Sequence, residues 1–221
     1  MSRWERGLFF ILITLGFTAA QAEERLDIYT PSGFAQWLAT HIGQEHVRIH
    51  HSPDSAAKFD LAVYTSSHSD LEKPSAKIEI ILSDGLPKLE APESLFDPSS
   101  PQSYDAWLYL QHTLFMAVSF SDVLTELMPD QETFYAENVA QFSKTIRLAD
   151  FQLKRRFRDL ESPIELTEVY AKALFPYLKY YGIEYTISSK SDLQINDIAP
   201  QKGDAPASPF QRIADQLLKS E

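Results

Sequence analysis

Apolar residues between Ala106 and Leu160 recur in steps of three and four. Tyr135, Val139, Phe142, Ile146, Ala149, Leu153, Phe157 and Leu160 form one stripe, the period of a helix with a single buried face. Met128-Pro129-Asp130 divides the stretch into a first helix of about two dozen residues and a second of about thirty. Asp130 is placed to cap the second helix, with Glu132 in its first turn. Lys154, Arg155, Arg156 and Arg158 crowd its last turns, where cations oppose the helix dipole, and Pro163 stops it. At ~1.5 Å per residue the helix is roughly 45 Å long, enough to join two units.

On both sides of it the pattern shortens. Leu26–Tyr29, Val47–Ile49, Phe59–Tyr64 and Lys77–Leu82 read as strands, and Phe34–Ile42 as a helix closed by Gly43. The unbroken apolar run at 59–64 suits a strand buried on both faces. Alternating strands and helices predict an α/β fold with a parallel sheet. Pro87–Ser103, with its prolines, serines and acids, reads as a loop. Beyond Pro163 the pattern predicts a strand at Ile164–Val169 and a helix at Lys172–Tyr181, kinked or started late by Pro176 and ended by Gly182. A strand follows at Ile183–Ile187, then a polar loop to Ser208, then an amphipathic helix at Pro209–Lys219.

Residues 1–22 have the form of a secretory signal: Arg3 and Arg6, an apolar run at Leu8–Phe17, and Ala20-Gln21-Ala22 before Glu23. The run is short of the ~20 residues of a membrane span, so no stable membrane insertion is expected after cleavage. These features predict an exported, periplasmic protein. The chain has no cysteine, which excludes a thiol nucleophile and a lipid-modified Cys at the cleavage site. A net charge of −11 disfavours nucleic acid and anionic membrane surfaces as partners. No G-x-S-x-G elbow, P-loop, G-x-G-x-x-G or H-E-x-x-H occurs, so nothing in the motifs points to an enzyme.

Several segments, in order, carry a resemblance. They are Phe59-Asp60-Leu61-Ala62-Val63-Tyr64, Leu82-Ser83-Asp84-Gly85-Leu86, Trp107-Leu108, Glu126 to Asp130, Phe134 to Asn138, the stretch from Ala171 to Ile183, and Ala205 to Pro209. Together they resemble the zinc and manganese ABC-transporter solute-binding proteins. That resemblance implies a signal segment at 1–22, an N-terminal α/β lobe at 23–104 and a helical linker with a long backbone helix at 105–162. A reduced C-terminal α/β lobe follows at 163–221. It also implies a divalent metal, zinc or manganese, and an ABC permease or another envelope protein as partner.

The family binds its metal between the lobes, usually with three histidines and a carboxylate. The first ligand position falls in the loop after the second strand, where His50 or His51 stands. The second, two residues before Trp107, is Asp105, which can ligate zinc or manganese or equally cap the helix behind it. The third, eleven residues before Gly182, is Ala171, which cannot ligate. The fourth belongs to a part of the C-terminal lobe with no counterpart here. His50 and His51 are neighbours and cannot both face one metal from a regular strand. His41, His46, His68 and His112 read as surface or capping histidines. The tyrosines of 170–185 have the spacing of a helix core.

Two functions follow. One is a periplasmic solute-binding-like protein that binds or passes on a divalent metal. The other is an accessory interaction protein on the same scaffold, its metal site lost and its short C-terminal lobe exposed to a partner.

Overall fold

The computed structural model describes residues 25–52, 58–65, 74–87, 89, 106–189, 198–201 and 203–220. The signal-like segment, most of the loop expected at Pro87–Ser103, Asp105 and His68 lie outside them.

Four short apolar runs become β1 (Leu26–Tyr29), β2 (Val47–His50), β3 (Lys58–Tyr64) and β4 (Ser75–Ile81). They form one parallel sheet in the order β2-β1-β3-β4. Ile28 and Leu61, paired across β1 and β3, are fully buried. Helix α1 (Gly33–Ile42) starts at Ser32, whose hydroxyl accepts from the Ala35 amide at 3.4 Å. Gly43 follows it with a right-handed φ of −81°. A side chain there would run into Val47, so the site needs glycine for space, not for a left-handed turn.

Trp107 and Leu108 form a buried 3₁₀ turn (Ala106–Leu108), and α2 begins only at Leu110, ending at Leu127. A second 3₁₀ turn, Pro129–Gln131, absorbs Asp130. Asp130 is therefore not the cap of the long helix α3 (Glu132–Arg158), which begins after Gln131 with no side-chain cap. The α3 stripe predicted from sequence is the buried one: Tyr135, Phe142, Ile146, Ala149, Leu153 and Phe157.

Past α3, β5 (Ile164–Leu166) and β6 (Tyr185–Ile187) pair in parallel around α4 (Glu168–Tyr181). The strand is shorter and the helix starts earlier than the sequence pattern suggests. Thr167 breaks the strand and caps the helix, accepting from the Tyr170 amide at 3.4 Å. Pro176 sits inside α4 without delaying its start, and Gly182 ends it at φ 65°, a left-handed cap.

The closing helix α5 (Ser208–Leu217) is not an exposed stub. Phe210, Ile213, Ala214 and Leu217 are buried. Phe210 meets Trp107 edge-on at 5.8 Å, and Trp107 stacks on Phe34 at 5.5 Å. The Tyr177 hydroxyl donates to the Phe210 carbonyl at 2.8 Å. One hydrophobic cluster thus runs from β1 and α1 through α2 and α3 to α4 and α5.

Candidate functional site

In an open parallel sheet, ligands sit beyond the carboxyl ends of the strands, where the strand order reverses. Here that point lies between β1 and β3. Three hydroxyls meet there. Thr30 is fully buried, and its amide donates to the His50 carbonyl at 2.9 Å. The Ser32 amide donates to the Thr30 hydroxyl at 3.2 Å, and the Ser32 hydroxyl touches that of Thr65. His50 and His51 leave β2 at this same edge.

The two histidines are treated differently. His50 is half-buried, its ring 5.2 Å from Phe59, and its Nε2 lies 2.8 Å from Asp27 Oδ1. A carboxylate accepts, so Nε2 donates, and Nδ1 is the ring nitrogen not engaged by Asp27. Carboxylate-oriented imidazoles of this kind are common behind metal ligands. Asp27 also meets Arg48 at 3.5 Å, and its amide donates to Asp60 Oδ2 at 2.9 Å. Burial pushes the Asp60 carboxyl up, but Lys77 at 2.6 Å and the Asp27 amide outweigh it and hold it below the usual carboxylate range. His51 is exposed, one residue past the strand.

Of the other two family positions, Asp105 lies outside the described residues, but the neighbouring Ala106–Leu108 turn is held by Trp107. Ala171 is fully buried in α4, its amide donating to the Thr167 carbonyl at 2.9 Å, so this position serves packing.

One residue was misread from sequence. His112 is not a surface histidine: it is 4% exposed on the inner face of α2. Its Nδ1 donates to the Ala106 carbonyl at 3.2 Å, and its ring lies 4.9 Å from that of Tyr109. Nε2 is buried without a hydrogen-bond partner. Burial pushes the imidazole below its ordinary pKa, against the carbonyl contact, which raises it. The group is therefore neutral at pH 7 with its lone pair on Nε2. The sequence carried a signal for this: His112, Met116, Phe120 and Leu124 stand four apart, in the register of the buried face. Among the described residues no three His, Asp or Glu side chains converge as a metal-binding group.

A second polar cluster closes on itself between α3 and α4. Lys154 Nζ donates to Asp150 Oδ2 at 2.9 Å and to the Tyr180 hydroxyl at 3.2 Å, and lies 4.7 Å above the Tyr180 ring. Burial, with the Asp150 carboxylate nearby, pushes the Tyr181 phenol well up. The tyrosines are core and its edge, as their spacing suggests.

No protein-family model matches the chain, and no curated protein matches it significantly in sequence. Solved structures do match in fold. The chain superposes on the periplasmic zinc-binding protein TroA from Treponema pallidum with a TM-score of 0.54, covering 79% of this chain and 72% of that one at 15% identity. It superposes on a periplasmic metal-binding protein from Candidatus Liberibacter asiaticus with a TM-score of 0.58, covering 87% and 99% at 15% identity.

The fold is that of the periplasmic metal-binding proteins.

The Liberibacter protein matches also in forms with manganese and with cadmium bound. A further example of the fold is the laminin-binding protein Lmb of Streptococcus agalactiae, described as a bifunctional protein with adhesin and metal-transporting activity. It matches with a TM-score of 0.53 over 74% of this chain and 67% of that one, at 16% identity. The carboxyl edge holding Thr30, His50, His51 and Thr65 is the candidate site that the sheet topology singles out. No helix among the described residues is long and apolar enough to cross a membrane.

Proposed function

We propose that this is a periplasmic solute-binding-like protein that binds a divalent metal, zinc or manganese, and passes it to an ABC permease in the envelope. The observation that carries the reading is the fold shared with a zinc-binding protein and with a protein solved with manganese and with cadmium bound. His51 and Asp105 are the donors at the inherited positions, and His50, oriented by Asp27, supplies Nδ1 where His51 does not reach. Ala171 removes one imidazole from the usual set. Structural zinc sites almost always have four protein ligands, so this donor set favours loose, exchangeable binding suited to handing a metal on.

Equilibrium dialysis and titration calorimetry with zinc and with manganese test this. One equivalent is expected to bind, to be stripped by a mild chelator, and to be weakened by His51→Ala and by Asp105→Ala. Absence of binding up to millimolar metal overturns the reading in favour of an accessory interaction protein on the same scaffold. Tight binding untouched by either substitution places the site elsewhere, with His112 the first residue to change.

A further inference from the structure

Helices α2 and α3 each expose a second face, turned away from the core. On α2 the residues Gln111, Phe115, Val118, Asp122 and Glu126 are all exposed. At 100° per residue they fall within an arc of about 80°. On α3 the residues Lys144, Arg147, Leu148, Phe151, Arg155 and Arg158 are all exposed, within an arc of about 100°. Each stripe lies roughly half a turn from the buried face of its own helix. Each holds two large apolar side chains: Phe115 and Val118 are 46% and 47% exposed, Leu148 and Phe151 61% and 70%.

The stripes have opposite charge. Residues 144–158 hold six of the chain's twenty Lys and Arg, against Asp150 alone as an acid. Lys154 is taken by Asp150 and Arg156 by Asp215. Among the described residues, Asp122, Glu126, Lys144, Arg147, Arg155 and Arg158 make no ion pair. They are also nearly equal in length, about 22 Å and 21 Å. Laid antiparallel, Val118 meets Phe151, Asp122 meets Arg147, Glu126 meets Lys144, and the Phe115 ring lies under Arg155, a cation–π arrangement.

We propose that the two faces are halves of one interface, and that the occupant is a second copy of this chain. A twofold axis places α2 of each copy against α3 of its partner, so both contacts form at once, as an isologous dimer requires. Four helix faces, each about 22 Å by 10 Å, bury on the order of 900 Å², the size of a weak, reversible interface. An anionic bilayer would meet the basic stripe well but would repel the acidic stripe on the neighbouring helix, and the chain carries −11 overall. A second copy answers both stripes. This inference is independent of the metal reading.

Sedimentation velocity of the purified protein over a wide concentration range tests it. A reversible dimer is expected at low ionic strength, weakening as salt screens the pairs. Arg147→Asp alone and Asp122→Arg alone each raise the dimer dissociation constant roughly tenfold or more, and Phe151→Ser does the same. The double exchange, Asp122→Arg with Arg147→Asp, restores the dimer, which a misfolded variant cannot do. The chain has no cysteines of its own, so Val118→Cys with Phe151→Cys gives a single oxidised species running as a covalent dimer. A monomer at every concentration, single reversals without effect, or a double exchange that fails to rescue each overturns the proposal. So does a monomer that sediments with phosphatidylglycerol vesicles through Arg147 and Phe151, which assigns the stripe to a membrane surface.

Discussion

His112 is the only buried histidine among the described residues, and its environment fixes a direction of pH dependence. Burial lowers its pKa in the folded state, and His41, also partly buried, is lowered for the same leading reason. A lowered histidine binds its proton more readily in the unfolded chain. Stability is therefore full above the unfolded pKa of about 6.5 and falls as pH drops below it, until the native groups protonate too. The melting temperature is expected to fall between pH 7 and pH 5. His112→Asn keeps a donor for the Ala106 carbonyl but cannot titrate, so the fall becomes shallower, the remainder belonging to His41. An unchanged slope in that variant contradicts this account. Trp107 makes the larger packing contribution, in contact with both Phe34 and Phe210. Trp107→Ala is expected to cost about 3–5 kcal/mol in chemical denaturation.

At the scale of elements, the segment before α5 is the least obvious part of the structure. The Arg212 guanidinium forks onto Asp204 at 3.1 and 2.9 Å and reaches the Ala199 carbonyl at 3.2 Å. That guanidinium, against the opposing effect of burial, holds the Asp204 carboxyl below its usual range. His41 Nε2 donates to the Asp204 carbonyl at 2.8 Å. Arg212→Ala removes the fork and is expected to cost about 2 kcal/mol, with faster amide exchange confined to 198–207 and α5. Uniform exchange across the whole chain in that variant would show that the fork holds nothing local. None of this was legible in the sequence, which showed only a polar, proline-bearing stretch. The partners are one carboxylate eight residues away and two backbone carbonyls, and such contacts leave no period. The helices and strands were legible because burial imposes periods of 3.6 and 2. Boundaries shifted where one side chain decides them, as Thr167 does for α4. The candidate site was legible only in part: His50 and His51 are visible as residues, but the Asp27 carboxylate that orients His50 comes from a different strand.

At the scale of the molecule, one core joins the N-terminal sheet to the C-terminal elements. Two lobes that merely share a helix would melt in two steps. Here the fluorescence of Trp37 and Trp107, both buried, and the far-ultraviolet helix signal are expected to follow one cooperative transition in urea. Separated midpoints would show that the halves unfold independently. The placement of α5 has a further consequence, for how the chain is made. Phe210 and Leu217 are synthesised well after Trp107, Tyr177 and α3, whose packing awaits them. An emerging chain can form α1, α2 and their strands but cannot complete the core until α5 has left the ribosome. Until then the polypeptide lacks the side chains that close its core and stays open to unfolding.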